Sequence, residues 1–249
     1  MLKRYAEDSM NAIEIKKELG LRAAQLIQSG MIVGLGTGST AECFIHSLLE
    51  RVQKEKLTIQ AVASSERSAE LARAGGVSVL DLNEASHVDI TVDGADEIDP
   101  EKRLIKGAGG ALLREKILAS SSRSMLVIAD ETKLVPHLGK TKLPLEILPY
   151  GAAATRRHIE ALGHKASWRL SPFSPLRPTF HLPQQSENLF LTDNNNLILD
   201  LTFSHPLQNP EELHHELTQI PGVLETGFFF HLAKTILIGR LNGKVDQIS

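Results

Sequence analysis

Apolar residues follow two different periods along the first 140 residues, and the two periods alternate. Short runs rich in β-branched residues predict strands: "MIVGLG", "LTIQAVAS", "VSVLDL", "HVDITVDG" and "SMLVIAD". The runs between them place apolar residues at helical spacing: "IKKELGLRAAQLIQSG", "TAECFIHSLLERVQ", "ERSAELARAGG" and "GALLREKILASS". Strands that alternate with helices pair in parallel through helical crossovers. The pattern therefore predicts an α/β fold, with a mostly parallel sheet covered by helices on both faces.

The pattern changes near "LPLEILPYG", where Pro144 and Pro149 are expected to break the chain. A helix, "AATRRHIEALG", precedes a segment with four prolines between residues 172 and 183, which we interpret as a surface loop or an extended arm. The run "NLFLTDNNNLILDLTF" predicts a β-hairpin that turns at Asn194 to Asn196. A further helix, "NPEELHHELTQI", and the strands "GVLETGFFF" and "TILIGR" complete an α+β pattern.

These two patterns predict two domains. We expect a Rossmann-like catalytic domain at residues 1–141 and 234–249, because the last strand returns to the large sheet. Residues 142–233 are expected to form a smaller inserted α+β domain of the ferredoxin-like kind.

Composition narrows the class of partner. The 27 basic and 30 acidic residues give a net charge of −3, without a basic stripe, and aromatic residues are only 4%, so we expect no nucleic acid partner. The start of the chain has no apolar stretch behind its basic residues, and no segment approaches about 18 apolar residues, so we expect no membrane span and a cytoplasmic protein. The single cysteine, Cys43, fits a reducing compartment, and its helical surroundings favour a packed thiol over a nucleophile.

The loop "GLGTGST", residues 34–40, follows a strand and opens a helix, so its amides and the positive helix end could hold a phosphate. Ser39 replaces the third glycine of a dinucleotide fingerprint, and the lysine of a nucleotide P-loop is missing. A simple tight turn is the alternative. Thr37, Ser39 and Thr40 favour a small phosphate ester.

Four acids, Asp93, Asp96, Glu97 and Asp99, stand in "DGADEID" directly after a predicted strand. In parallel sheets ligands bind beyond the carboxyl ends of the strands, so these acids are expected to face a crevice. A solvated turn capped by Asp99 and a divalent metal site are the alternatives.

The stretch "KGAGGALLREKI" places Lys106 before a glycine-rich loop and Glu115 in the helix that follows. A lysine can present a point charge to an oxygen, and a carboxylate on a helix can be held at one distance from a substrate carbon. Taken in isolation, the favoured interpretation is a surface lysine and a glutamate paired with Arg114 or Lys116. Together with the neighbouring acids, the set favours catalysis.

Seven motifs occur in a characteristic order and spacing: "GLGTGST", "SSERS", "DGADEID", "KGAGGALLREKI", "DETKLVPHLG", "LPLEILP" and "TDNNNLILD". They resemble ribose-5-phosphate isomerases of the A type, over nearly the whole chain. The resemblance implies interconversion of ribose 5-phosphate and ribulose 5-phosphate, in the non-oxidative branch of the pentose phosphate pathway, without a metal or an organic cofactor. We also expect a homodimer or a homotetramer, although the sequence does not give the oligomeric state.

The resemblance implies Glu115 as the base that moves a proton between C1 and C2, with Asp93, Asp96 and Lys106 around the ring oxygen and hydroxyls. The other expected contacts to substrate and phosphate are Lys16, Thr37, Gly38, Ser39, Thr40, Gly94, Ala95, Gly107, Ala108, Gly109 and Lys133. The chemistry agrees, since aldose to ketose conversion needs a base beside a carbonyl and a donor for the enediolate oxygen. The sugar is mostly a closed ring in water, and Asp93 is the candidate acid that opens it.

Two departures from the family pattern concern the glycine loop: Ala108 replaces a usual glycine, and Leu113 a usual small polar residue. The segment 171–188 is longer than usual, and its role is open. The histidines show no metal signature, and adjacent His214 and His215 would point different ways on a helix. The rival functions are a sugar-phosphate deaminase or a CoA transferase on the same fold, and a non-catalytic sugar-phosphate sensor, which could dispense with Glu115.

Overall fold

The computed structural model describes residues 10–171 and 188–249, so the proline-bearing segment lies almost wholly outside the described residues. The described chain forms two compact units. The first comprises the residues up to Ala95, Arg114–Leu134 and His231–Ser249, and the second comprises Asp96–Leu113 and Val135–Phe230. The domain boundaries expected from the sequence, at residues 141 and 234, are not the same as the limits of these two units, and they remain a prediction.

The helices and strands follow one another in two series, one for each unit. The first unit contains α1 (Ala12–Gln25), β1 (Ile32–Leu35), α2 (Ser39–Glu55), β2 (Gln60–Ala63), α3 (Glu66–Ala74), β3 (Ser78–Val79), β4 (Ile90–Asp93), most of α4 (Leu112–Ser120), β7 (Met125–Asp130), a 3-10 turn (Glu131–Lys133), β13 (Ala233–Gly239) and β14 (Val245–Ile248). The second contains β5 (Glu97–Ile98), β6 (Leu104–Ile105), β8 (Leu143–Ile147), α5 (Ala152–Ala161), β9 (Lys165–Trp168), β10 (Leu197–Thr202), α6 (Pro210–Thr218), β11 (Val223–Thr226) and β12 (Phe228–Phe229).

The first unit is built on a seven-stranded sheet in the order β14-β13-β7-β4-β1-β2-β3. All its neighbouring strands are parallel except β13 and β14. Successive residues of β1 point to opposite faces: Val33 packs in the cluster that contains α1 and α2, whereas Ile32 packs with Leu118 of α4. The predicted α/β class, with helices on both faces of a mostly parallel sheet, is confirmed.

The second unit contains a four-stranded antiparallel sheet in the order β11-β8-β10-β9. Its β-α-β-β-α-β succession is that of the ferredoxin-like motif, as expected. The side chains of Leu199, Ile159 and Leu217 share one buried cluster, so α5 and α6 cover the same face of this sheet. A separate three-stranded sheet, in the order β12-β6-β5, was not predicted, because its strands are only two residues long.

The expected break at Pro144 is wrong. Pro144 lies inside β8, opposite Asp200, and its carbonyl accepts a hydrogen bond of 2.7 Å from the Gly227 amide. A proline in a strand lacks only the N–H donor, so its carbonyl can still accept a hydrogen bond from a neighbouring strand.

The predicted turn between Asn194 and Asn196 is present, with Asn195 at a positive φ of 60°. Across the described residues, no helix has both the length and the apolar character that a membrane crossing demands.

Candidate active site

The strand order of the large sheet reverses between β1 and β4, which is where ligands bind in sheets of this kind. At this point the chain forms a tight contact between two loops. The Thr37 amide donates to Asp93 Oδ1 at 3.2 Å, and the Gly94 amide donates to the same oxygen at 2.7 Å. Asp93 is the last residue of β4 and its exposed fraction is 0%. A carboxylate is therefore held, without solvent exposure, at the switch point and at the carboxyl end of the strand that the sequence predicted.

Gly36 explains how the two loops come so close. Its amide donates to the Val92 carbonyl at 2.9 Å, and a Cβ at this position would lie 2.2 Å from the carboxyl carbon of Asp93. Only a residue without a side chain leaves room for the Asp93 carboxylate there.

Replacing Gly36 by Ala should lower the free energy of unfolding by about 1–3 kcal/mol, because the new methyl group overpacks the Asp93 carboxylate. Gly94→Ala is the matched control, since its Cβ would have no non-neighbouring atom nearer than 3.9 Å. We expect that control to change stability by less than about 0.5 kcal/mol. Urea unfolding followed by circular dichroism measures both. Equal stabilities of the two variants would contradict the close packing at Gly36.

The predicted phosphate loop lies at the start of α2, which Gly38 precedes and Ser39 and Thr40 begin. The amides of a first helical turn lack partners within the helix and carry a partial positive charge, so they suit an anion. Lys16 of α1 adds a full charge, because its Nζ donates to Ser39 Oγ at 2.9 Å. Thr37 Oγ1 shares a hydrogen bond of 2.8 Å with Ser64 Oγ. The structure therefore brings Lys16 to the loop that the sequence assigned to phosphate.

Glu115 lies in the first turn of α4, the helix that connects parallel β4 to β7. A crossover helix starts at the carboxyl edge of the sheet, so this first turn stands at the same edge as Asp93. Leu118, one turn later, packs against the sheet and fixes the helix. The exposed fraction of Glu115 is only 3%, and its neighbour Arg114 pairs with Glu66 at 3.0 Å. A glutamate is rarely so buried without a functional or electrostatic reason.

Lys133 ends the 3-10 turn that follows β7, and its side chain is half-buried. Since β7 neighbours β4 in the sheet, this turn lies at the edge that also carries Asp93. Glu131 anchors the turn, because its carboxylate accepts from the Leu241 amide at 2.8 Å and pairs with Arg240 at 3.2 Å. Those two interactions, the amide bond first, lower the pKa of Glu131.

The second unit carries Asp96 and Lys106. Asp96 Oδ2 accepts a hydrogen bond of 2.9 Å from the Ala108 amide, so the aspartate holds the loop that follows the lysine. Lys106 is only 3% exposed, its amide donates to the Gly227 carbonyl at 2.8 Å, and its Nζ stands 5.3 Å from the centre of the Phe229 ring. The aromatic face favours the ammonium at this buried position.

Glu97 and Asp99, the other two acids of "DGADEID", form hydrogen bonds within the second unit. Glu97 accepts from the amides of Gly139, at 2.7 Å, and Thr141. Asp99 Oδ1 accepts from the Arg103 amide at 2.9 Å, and its Oδ2 pairs with Arg103 Nε at 2.6 Å. Asp99 therefore holds the turn, as that alternative expected, but the turn is not solvated, since Asp99 is only 3% and Glu97 only 1% exposed. The contacts of Glu97 and Asp99 are structural.

The glycine loop, defined here as residues 106–110, explains why the alanine at 108 is tolerated. Its two residues with a positive φ are Gly107, at 105°, and Gly110, at 82°. Ala108 has no positive φ, and both Ala108 and Gly109 are exposed. The departure from a usual glycine at position 108 therefore imposes no backbone strain.

Two polar clusters of the second unit were missed from the sequence. Glu146, fully buried in β8, accepts from Thr192 Oγ1 at 3.0 Å, Asn194 Nδ2 at 3.1 Å and Asn196 Nδ2 at 2.8 Å. This cluster explains the asparagine run of the hairpin as structural. The second cluster, Arg169 with Asp200, contacts the glycine loop. The only local signal was a single acid inside the apolar run "LILDL".

Within residues 10–171 and 188–249, no group of three or more His, Cys, Asp or Glu side chains is placed to hold a metal ion. Cys43 is half-buried on α2 rather than fully packed, and burial raises the pKa of its thiol, which makes it a poorer nucleophile at neutral pH.

Comparisons with known proteins agree with one another. Residues 60–243 match the model of the family described as ribose 5-phosphate isomerase A, or phosphoriboisomerase A. The ribose-5-phosphate isomerase A of Protochlamydia amoebophila is 44% identical over 238 residues, which cover 96% of this chain and 97% of that protein. The protein of the same name from Bacillus mycoides is 43% identical over 93% of this chain and 98% of its own length.

Solved structures agree as well. The ribose 5-phosphate isomerase A of Methanocaldococcus jannaschii superposes with a TM-score of 0.84 at 33% identity, over 95% of this chain and 98% of that one. A D-ribose-5-phosphate isomerase in complex with phospho-erythronic acid gives a TM-score of 0.86 at 33% identity, over 96% and 100% of the two chains.

Proposed function

The chain belongs to the ribose 5-phosphate isomerase A family, whose members interconvert D-ribose 5-phosphate and D-ribulose 5-phosphate. We propose the following roles for its residues in that reaction. The chain is an aldose–ketose isomerase, and Glu115 is its base. The observation that carries this assignment is the burial of the Glu115 carboxylate, 3% exposed, in the first turn of the crossover helix at the carboxyl edge. A burial of this kind at a ligand-binding edge is typical of functional carboxylates.

The reaction needs one proton to leave C2 of the open aldose and to arrive at C1. The C1 carbonyl oxygen becomes negative and then gains a proton, and the C2 hydroxyl loses its proton and becomes the ketose carbonyl. Glu115 takes the proton from C2, which leaves an enediolate, and returns it to C1. The fixed position of the first turn of α4 suits a base that must address two adjacent carbons. No external oxidant or reductant is consumed, because the two electrons stay on the sugar.

Lys106 stabilises the enediolate oxygen. An ammonium held out of water interacts with a developing negative charge far more strongly than one in bulk solvent. Lys106 meets this condition, since it is 3% exposed and packs over the Phe229 ring. Asp96 holds the amide of Ala108 at 2.9 Å and is assigned to the sugar hydroxyls.

Asp93 is assigned to ring opening. The closed sugar needs an acid and a base to break its hemiacetal before C2 becomes acidic. Asp93 is fully buried, and its Oδ1 is held by two amides, from Thr37 and Gly94. A carboxyl group with one oxygen fixed in this way presents its other oxygen in a defined direction.

The phosphate is assigned to the start of α2 and to two lysines. Thr37 to Thr40 offer amides and hydroxyls, Lys16 already reaches Ser39, and Lys133 stands on the anchored turn after β7. Helix N-termini with added positive charge bind phosphates without further specialisation.

Replacing Lys133 by Ala should raise KM by about 10- to 100-fold and lower kcat much less, because one charge-assisted hydrogen bond to the phosphate is lost in both ground and transition states. Steady-state kinetics and competitive inhibition by inorganic phosphate measure the effect. Lys140→Ala, an exposed lysine with no assigned role, is the control. An unchanged KM would remove Lys133 from the phosphate site.

A coupled assay for ribulose 5-phosphate, run with and without a chelator, tests the function itself. We expect full activity with the chelator present. Absence of ketose formation, together with ammonia release from an amino sugar phosphate or with CoA-ester exchange, would instead favour one of the two rival enzymes. A homodimer or homotetramer and a cytoplasmic location remain predictions, and sedimentation at working concentration tests the first.

A further inference from the structure

Strand β10 presents a different kind of residue to each face of the small sheet. Leu197, Leu199 and Leu201 belong to the cluster that contains α5 and α6. Asp200 alternates with them, so it faces away from the helices. Asp200 lies opposite Ser167 in β9, and Arg169, two residues beyond Ser167, therefore shares its face. The register thus places an acid and an arginine together on the face opposite α5 and α6.

Arg169 links this face to the glycine loop. Its Nη1 donates to the Gly107 carbonyl at 2.8 Å and to the Ala108 carbonyl at 3.0 Å. Its Nε donates to Asp200 Oδ2 at 3.1 Å, and its Nη2 pairs with Oδ1 of the same carboxylate. Only 15% of the Arg169 side chain and 7% of the Asp200 side chain are exposed. A two-point ion pair of this kind fixes the plane of the guanidinium.

Phe190 secures the same loop. The Arg169 guanidinium carbon stands 5.9 Å from the centre of the Phe190 ring, and a Cβ on Gly110 would lie 2.3 Å from a ring atom. The Arg169 amide donates to the Ile198 carbonyl, and the Phe190 amide donates to the Arg169 carbonyl, each at 2.9 Å. The backbone that carries the guanidinium is therefore part of a hydrogen-bonded ladder and does not depend on the loop for its order.

The two carbonyls that Arg169 binds determine where the loop amides point. In a trans peptide the C=O and the following N–H point in opposite directions. The carbonyl of Gly107 points at the guanidinium, so the Ala108 N–H points away from it, and that N–H reaches Asp96 Oδ2 at 2.9 Å. The carbonyl of Ala108 also points at the guanidinium, so the Gly109 N–H points away from it too. Gly109 is exposed.

We propose that Arg169, held by Asp200, is a positioning residue of the isomerase, which orients the Gly109 N–H as a donor to a substrate oxygen and keeps the Ala108 N–H on Asp96. The inference rests on the proposed function of the glycine loop. Arg169 does not contact the substrate. Its positive charge also polarises the two peptide groups, which strengthens both N–H donors.

Arg169→Met should lower kcat/KM by about 10- to 10²-fold, less than the 10²- to 10³-fold typical of removing an oxyanion donor outright. Phospho-erythronic acid, a sugar-acid phosphate, should bind more weakly by a similar factor, whereas inorganic phosphate should bind as to the wild type. Arg169→Lys should recover only part of the activity, because an ammonium lacks the planar fork. Added guanidinium ion should raise the activity of Arg169→Ala in a saturable manner, and Asp200→Asn should resemble Arg169→Lys.

Arg103→Met is the matched control. Arg103 forms an ion pair of similar burial in the same unit, with exposed fractions of 14% for Arg103 and 0% for Asp99. This variant should lose comparable stability in urea and keep its kcat/KM. Wild-type kinetics and phospho-erythronic acid affinity in Arg169→Met would overturn the inference, and so would an equal loss of kcat/KM in Arg103→Met. If the wild-type chain itself forms no ribulose 5-phosphate, the proposed function fails instead.

Discussion

Replacing Glu115 by Gln should lower kcat by about 10² to 10⁴ while substrate binding is largely kept. The amide has nearly the shape of the carboxylate, so the packing of the first turn of α4 is preserved, but an amide cannot take a proton from carbon. The loss should fall on kcat because the base acts only in the transition state. Exchange of the C2 proton with solvent deuterium should be lost in parallel, and NMR of substrate incubated in heavy water measures it.

Glu146→Gln is the control for this loss, because Glu146 is also fully buried yet has a structural role in the second unit. We expect that variant to change the free energy of unfolding and to leave kcat close to the wild-type value. Persistent deuterium exchange at C2 in Glu115→Gln would show that another group is the base. A loss confined to KM would show that Glu115 only binds the sugar.

The fold of the first unit could be predicted because its signals are local. The segments that form its strands and helices from α1 to β7 have apolar periods of their own, and parallel pairing follows from their alternation. The position of Asp93 at the end of β4 was predictable for the same reason. The contact of Asp93 with Thr37 could not be predicted from a single sequence. It depends on the pairing of β1 with β4 and on the absence of a side chain at Gly36.

The second unit was harder to predict because its signals are not local. Pro144 is a poor strand residue, and its strand exists because β10 and β11 supply partners on both sides. The two-residue strands β5, β6 and β12 are too short to show a period. Arg169 was missed because its two loop acceptors lie 62 and 61 residues earlier in the chain. Its role depends on a strand register that no local pattern specifies.

The acidic segment shows how a site can be only half predicted. The concentration of acids drew attention to the end of β4, where Asp93 lies, and it could not separate Asp93 from Glu97 and Asp99. That separation requires the partners: Glu97 and Asp99 accept from backbone amides of turns in the second unit, whereas Asp93 ends a strand of the large sheet. Composition thus points to one end of a strand, and hydrogen-bond geometry distinguishes the individual acids there.

Replacing Lys106 by Met should lower kcat by about 10² to 10³, the range found when a donor to a developing oxyanion is removed. Methionine keeps an apolar chain of similar length over the Phe229 ring, so the loss of charge is isolated from a loss of packing. Because the negative charge exists only in the enediolate and the transition states around it, KM should change little. Affinity for phospho-erythronic acid should fall with kcat, and calorimetric titration measures it.

Lys102→Met is the matched control for Lys106→Met, since Lys102 lies in the turn just before β6 and its amide donates to the Asp99 carbonyl at 3.0 Å, which the substitution leaves in place. Its kcat should equal that of the wild type. Lys106→Arg should remain impaired, because Lys106 is only 3% exposed and the larger guanidinium would overpack the space that the compact ammonium occupies. A rise in KM with an unchanged kcat in Lys106→Met would mean that the ammonium binds the ground-state sugar. The enediolate oxygen would then need another donor. The exposed amide of Gly109, on the same loop, is the candidate.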